Sequence, residues 1–387
     1  MSITHQLALI AGLTVAGASV NAQAPAALTK ADARFAEPFT QIRSIRELPN
    51  GKVLVSDLRD KVVQLVDFAS GTMTKVGREG QGPGEYALPN TLYPMPNGVT
   101  WLHDLLARRF LSIDPNGKPG ESIQMPGSGG GGIVAMGMGS GGADGKGRIF
   151  SQAPPFNIQD PNGESPDSLA ITRWEAGKTG TDTVAWIKGP RAQVTTSGSG
   201  GNRNFSMRLG GQKVFTPQEA WGVAADGSVA RVLPSPYRVV WYDPSGKPTP
   251  GAPVPYTPQK VTEADKQQVI EARKKMRPMM ITIGGPGGRA ASTPNVEMPP
   301  PEFEDTKPPF TGENAVVVAP EGEVWVLRTR PASEMTPQYD VFDRTGKLVR
   351  KVTLNPESRV IGFGKGTVYV VRTDEDDLQY LDRFRRP

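Results

Sequence analysis

The sequence predicts an all-β protein, a six-bladed β-propeller of four-stranded antiparallel blades, closed by an N-terminal strand and carrying one short helical insertion. Three observations predict it. A glycine-centred hairpin recurs six times, an alternating apolar strand with its own glycine turn follows most copies, and the composition favours short strands joined by turns. In 387 residues there are 45 glycines and 37 prolines, with 37% hydrophobic residues, a mixture ill suited to a helical protein. One closed domain can use most of this length.

The six hairpin copies are "LPNGKVLVSD" (48–57), "MPNGVTWLHD" (95–104), "GADGKGRIFS" (142–151), "AADGSVARVL" (224–233), "APEGEVWVLR" (319–328) and "GFGKGTVYVV" (362–371). Asn-Gly and Asp-Gly at their centres suggest two-residue turns with positive φ. The second halves read "VVQLVDFASG", "RFLSIDPNGK", "AITRWEAGKT", "RVVWYDPSGK" and "YDVFDRTGKL", and "LQYLDRFRRP" ends the last copy one strand short. Each complete unit therefore holds four strands. The stretch "ARFAEPFTQI" (33–42) is expected to supply the missing outer strand and close the ring, with Pro38 restricting it to an edge. An open ring would expose apolar faces and unpaired edges.

The expected organisation is a leader over 1–24 and a propeller over 33–387 with insertions at 190–213 and 257–311. The leader has an apolar run from Leu7 to Val20 and ends in Ala22-Gln23-Ala24, a small-x-small cleavage pattern, although its first residues hold no Lys or Arg. Export to the periplasm or beyond is the expected localisation, with no integral membrane segment after leader removal. The chain has no cysteine, which removes disulfides and thiolate chemistry. Its 44 basic and 39 acidic residues are interspersed, so no basic block tracks a nucleic-acid backbone. In the second insertion "TEADKQQVIEARKKMRP" reads as a helix, with Thr262 and Asp265 as a capping-box-like start and Pro278 as a stop. "VTTSGSGGNRN" (194–204) reads as flexible.

The segment "VGREGQGPGEY" after the first unit, with the repeated "PNG…V…D" and "D…SGK" turns, resembles the bacterial six-bladed propellers grouped near the NHL and TolB-like families. The resemblance covers roughly residues 35–387 apart from the insertions. It implies an exported propeller and carries over no catalytic residue.

In such a blade, with strands a to d counted outward, the a–b and c–d links share one end. The b–c links and blade crossings share the other. Tight turns fall at the first end. The second collects 78–89, the glycine tract 127–132, the loop 154–168, and both insertions, so binding is expected there. "GREGQGPGEY" (77–86) is a blade crossing in which Gly80, Gly82 and Gly84 supply positive φ and Pro83 stiffens the chain. Its functional reading is an anion nest with Arg78 as counter-charge; its structural reading is a plain turn.

Eight residues back from the hairpin glycines stand Arg43, Asn90, Glu219 and Asn314, at the loop-rich start of the innermost strands. One carboxylate and two amides resemble the hard-oxygen metal set of gluconolactonase and senescence-marker propellers, with Arg43 as a departure. A polar plug, with Arg43 paired to Glu219, accounts for the same residues. A ligand anion on Arg43 is a third reading. His103 beside Asp104 could complete a serine triad only with a nucleophile elbow, and no GxSxG is present; Asp57 and Asp104 read as turn caps. The expected function is therefore binding of a small molecule, glycan or protein partner on the loop-rich face through Arg43, Arg78, Gln81, Glu85 and His103, with no cofactor. The alternative is a metal-dependent lactonase or esterase holding calcium or another divalent ion on Asn90, Glu219 and Asn314.

Overall fold

The computed structural model describes residues 25–125, 141–153, 166–189, 192–197, 204–209, 213–275 and 300–387. The leader, the glycine tract 127–132, most of the 154–168 loop and Pro278 lie outside them. Six antiparallel sheets follow one another along the chain. Blade one comprises Ile42–Glu47, Val53–Asp57, Val62–Asp67 and Thr72–Val76, and blade two begins with Pro89–Pro94 and Thr100–Asp104. The innermost strands of blades three to six are Gly141–Ala143, Ala220–Val223, Val316–Val318 and Ser358–Gly364, and successive innermost strands lie side by side around the axis. Gly222 permits one such approach, because a Cβ there would overlap Val318 of the next blade.

The apolar core sits in the seams between blades. Alternation along each strand feeds two seams at once: Val53 and Val55 join Tyr369, Val371 and Leu381 between blades six and one, whereas Leu54 joins Leu92, Leu102 and Leu111 between one and two. Four further clusters fill the remaining seams.

In blades one, three, four and five the hairpin turns differ from the two-residue form that their sequences suggest. In blade one Leu48 N–H donates to Lys52 O and Gly51 N–H to Leu48 O, and blades three, four and five repeat this pair of bonds. A left-handed glycine stands in all six turns, with φ between 70° and 97° at Gly51, Gly98, Gly147, Gly227, Gly322 and Gly366, and in blade two Asn97 is left-handed as well at 59°, the two-residue form expected of Asn-Gly. In the four blades that share this pair of bonds it is a tight turn ending in a glycine bulge, and it sets the register of the strands that follow.

The ring closes as the sequence leads one to expect. Ala33–Arg34 pairs antiparallel with Gln379–Arg385, and Phe39 bridges Gln379. The buried Phe35 anchors this segment with its N–H on Leu381 O and its ring against Phe39 and Phe68, with centroids 6.2 and 5.9 Å away. An element that the sequence did not reveal precedes it: Ala26–Leu28 adds a fifth strand to blade five, parallel to Leu348–Leu354, ahead of the expected 33–387 span. Residues Ala192–Ser197 and Asn204–Leu209 pair antiparallel, so 194–197 and 204 are strand where 194–204 read as flexible, while 198–203 lie outside the described residues; β-branched Val194, Thr195 and Thr196 favour the extended form.

The helix spans Glu263–Lys275 with the expected reciprocal cap: Asp265 N–H donates to Thr262 Oγ1 and Thr262 N–H to Asp265 Oδ2. Asp265 also binds the buried Lys307 ammonium at 2.8 Å and accepts from Ala332 N–H, which ties the insertion to the b–c loop of blade five.

Truncating the closing anchor tests this architecture. Phe35→Ala is expected to lower the unfolding free energy in urea by about 3 kcal/mol or more. A loss below about 1 kcal/mol would show that the ring holds without it.

Candidate functional site

The strand order puts the two rims of the propeller in contrast. The a–b and c–d turns, such as 48–52, 114–118 and 343–347, are short, whereas the opposite rim carries 77–88, the strand pair Ala192–Ser197 and Asn204–Leu209, the described parts 251–275 and 300–315 of the second insertion, and the loop 328–337. The loop-rich rim starts each innermost strand, and there blades six, one and two meet.

Two buried aspartates position this corner. Asp57 Oδ2 accepts the amides of Thr40 and Gln41 at 2.7 and 3.0 Å, while its Oδ1 accepts those of Arg59 and Asp60. Asp104 likewise takes the amides of Ala87, Leu88 and Ala107. The turn-cap reading is right but incomplete. Each carboxylate also clamps the incoming crossing just ahead of Arg43 and Asn90, through charge-assisted bonds in a nearly dry setting.

From these clamps Arg43 reaches across the seam, and its Nε donates to Asn90 Oδ1 at 2.9 Å. That bond fixes the amide, so Asn90 Nδ2 faces His103 Nδ1 at 3.4 Å, the ring lying 5.7 Å from Phe110 between centroids. The donor amide assigns the proton of a neutral imidazole to Nε2. Burial, aided by the Arg43 charge, pushes the His103 pKa down to about 4. Arg359, which the register count did not select, joins from blade six with its guanidinium donating to Ile42 O at 2.8 Å. Burial and the neighbouring Arg43 lower its pKa, with Tyr339 acting in the opposite sense.

The crossing 77–86 closes on itself. Arg78–Glu79 pairs parallel with Glu85–Tyr86, Glu85 Oε2 accepts Gly82 N–H at 2.8 Å and its Oε1 accepts Arg78 Nε at 2.6 Å. The Gly82 amide and then Arg78 hold the Glu85 carboxyl below its ordinary range. The amide nest thus carries its own anion, and Arg78 is already neutralised. Gly80 and Gly84 take positive φ, but Gly82 does not; it is crowded by Glu85 instead. Arg109 binds the carbonyls of Gln81 and Glu85, and the fully buried Tyr86 places its hydroxyl between Val63 N–H and Val76 O. Gln81 itself is exposed.

The remaining candidates do not gather with this group. Glu219 forms a two-pronged pair with Arg231, both bonds at 2.7 Å, and accepts Lys188 N–H from the end of blade three. It therefore points into the seam between blades three and four and does not pair with Arg43. Asn314 is exposed in the short turn Glu313–Ala315. A divalent ion does not fit these residues: both Glu219 oxygens are engaged by a guanidinium, Asn90 Oδ1 by another, and among the described residues no three His, Cys, Asp or Glu cluster around a common point. The triad fails too, because Asp104 spends its oxygens on backbone amides and His103 faces Asn90.

No family model and no curated protein matches the chain. Solved structures of similar fold include the calcium-binding protein regucalcin of Agrobacterium tumefaciens, at 10% identity and a TM-score of 0.43 over 93% of this chain and 98% of that one. A gluconolactonase of Xanthomonas campestris gives 10% and 0.41 over 91% of each chain. Virginiamycin B lyase of Staphylococcus aureus gives 10% and 0.38 over 89% and 84%. At such identities the likeness is one of fold, and no activity passes to this chain from it.

The His103 environment predicts a pH dependence. Its folded pKa lies below the ordinary value of about 6.5, so the unfolded chain binds more protons between those two values and stability falls as pH drops through that window. Urea unfolding should show a loss of about 3 kcal/mol on going from above 6.5 to about 4, beyond that of His103→Gln. Parallel curves for the two proteins would contradict the assignment.

Proposed function

We propose that this chain is an exported propeller, akin to the NHL and TolB-like group that its turn repeats resemble, which binds a ligand on its loop-rich face without catalysing a reaction on it. One observation carries the reading: the rim that bears the long segments is also the rim where Arg43, Asn90, His103 and Arg359 assemble beside the axis, held by the Asp57 and Asp104 clamps. Rigid strands presenting polar groups beneath elaborated loops make a preorganised recognition surface. Binding is favoured over hydrolysis because the groups needed for chemistry are otherwise engaged. His103 is buried and neutral, Asp104 is saturated by amides, and Glu219 would have to leave Arg231 before it could take a metal. The ligand is a small molecule, a glycan or the exposed part of a protein partner.

The test combines localisation with a footprint. Expressed in a bacterium with its leader, the protein should be recovered from the periplasm or medium with Pro25 at its amino terminus. A thermal-shift panel of neutral sugars, sugar acids and short peptides identifies a stabilising compound, and hydrogen exchange then maps it. Protection should fall within 78–89, 105–108 and 328–337. Protection confined to 48–52, 114–118 and 343–347 would overturn the reading. Millimolar calcium is expected to leave the thermal midpoint unchanged; a rise abolished by Glu219→Ala would restore the metal reading.

A further inference from the structure

Arginines near the loop-rich rim mostly meet a carboxylate. Arg109 lies 3.6 Å from Asp104, Arg231 grips Glu219 and Arg328 pairs with the buried Asp340. Arg43 and Arg359 are different. Arg43 spends its Nε on the Asn90 amide and Arg359 one terminal nitrogen on a backbone carbonyl, and no described carboxylate forms an ion pair with either. Both are half-buried, and the acceptor of Arg359 is the carbonyl of Ile42, the residue next to Arg43. Two cations thus stand close together at the start of neighbouring innermost strands. Their mutual repulsion is weakly screened, because partial burial lowers the local dielectric. The other titratable groups facing them, His103, Tyr93 and Tyr339, supply no counter-charge at neutral pH: the His103 pKa is pushed down to about 4, and burial pushes both tyrosines up to about 12.

Structural arginine pairs in a protein interior are expected to carry their own acids, since an uncompensated buried charge is costly. Here the acid is missing while donors remain: among the described residues no protein acceptor meets the terminal nitrogens of Arg43 or the second terminal nitrogen of Arg359. Those donors belong to planar forks, which suit a carboxylate or phosphate better than a neutral hydroxyl. The Asn90 bond restrains one fork and the Ile42 carbonyl the other, so little side-chain entropy is left to lose on binding.

We infer that Arg43 and Arg359 together clamp an anionic group, a carboxylate or a phosphate, of a ligand entering the channel mouth from the loop-rich face. The inference rests on the binding reading above and narrows it to anionic ligands. Asn90 is a positioning residue, holding Arg43 and making no ligand contact of its own.

Calorimetric titration of the full chain with citrate and, separately, inorganic phosphate tests it, against sodium chloride at matched ionic strength. Saturable binding of at least one anion is expected, and whichever binds distinguishes the carboxylate from the phosphate source. Arg43→Gln and Arg359→Gln should each weaken it by about ten-fold or more. Arg59→Gln, an exposed arginine on the same rim that makes the same change in net charge, should leave it unaltered. Should Arg359→Gln fail to fold, Arg359→Lys retains the charge without the fork and should still bind more weakly. Absence of saturable binding for both anions, or equal affinity in Arg43→Gln and wild type, overturns the inference. If a neutral compound still protects the loop-rich rim while both anions fail, only the anion clamp falls. If protection lies on the tight-turn rim, the binding reading falls with it.

Discussion

Ring closure is the constraint on which everything else in this molecule depends. Five blades are continuous in sequence, but the sixth is completed only when Ala33–Arg34 lies along Gln379–Arg385, pairing residues from opposite ends of the chain. Gln379 reinforces the join by accepting Ile42 N–H on its side-chain carbonyl at 2.7 Å while its backbone exchanges bonds with Phe39. The seam between blades six and one is also where the innermost strands must meet for Arg359 to reach Ile42 O. Closure therefore seals the apolar faces of the end blades and builds one side of the channel mouth in the same step. The long-range pairing it requires carries a large loop-closure entropy, offset by burial of Phe35, Phe39, Tyr369 and Leu381 in that seam.

Charge is distributed by the same logic. Acids near the rims are used locally: Asp57 and Asp104 bind crossing amides, Asp114, Asp243 and Asp343 bind the amides of their own turns, and Glu85 fills the nest of its own loop. The turn aspartates are a product of the repeat, because each glycine bulge leaves amides that a side chain two to four residues back can satisfy. With the carboxylates committed in this way, no described one pairs with the arginines at the corner where blades six, one and two converge. A net charge of +5 spread over interspersed acids and bases in the sequence thus includes two cations brought together by neighbouring strands.

Much of the fold was legible because its signal is local and repeated. Glycines at fixed spacing, apolar alternation and the truncated last unit together implied six blades and the closing strand. The site was legible only where that spacing held. Counting eight residues from the hairpin glycine reached Arg43 and Asn90, but in blade six the count reaches Ser358, since the turn there shrinks around Lys365 and Gly366 and the innermost strand bulges between Val360 and Gly362. Arg359 was missed by one residue. Glu219 satisfied the count and still pointed elsewhere, because Arg231 on the adjacent strand offers a two-pronged partner inside the seam. Alternation along a strand predicts the face of a residue, not which neighbour its flexible end will choose. Ala26–Leu28 left no pattern of its own, being three residues that take their conformation from the edge of blade five.

The second insertion bears on how open the candidate site is. The described parts of this long excursion are fastened at both ends. Val214 bridges Phe303, Gln259–Lys260 pairs with Thr306–Lys307, and the Asp265–Lys307 ion pair is buried against the carbonyl of Arg330 and the amide of Ala332. Burial acts to raise the Asp265 pKa, but the bonds from Lys307, Thr262 and Ala332 prevail and hold it at about 2. This fastening is therefore fully present above the ordinary carboxylate pKa and weakens only in strong acid. Removing one partner would strand the other charge, so the tie persists as a unit under the conditions in which His103 changes its protonation. The two titrations act on different parts of the rim: acidification to about 4 protonates His103 in the corner beside Arg43 while Asp265, held at about 2, keeps the insertion anchored. The described part of the rim is thus fixed at several points, so the groups beside Arg43 are held in place before any ligand of the proposed kind would reach them.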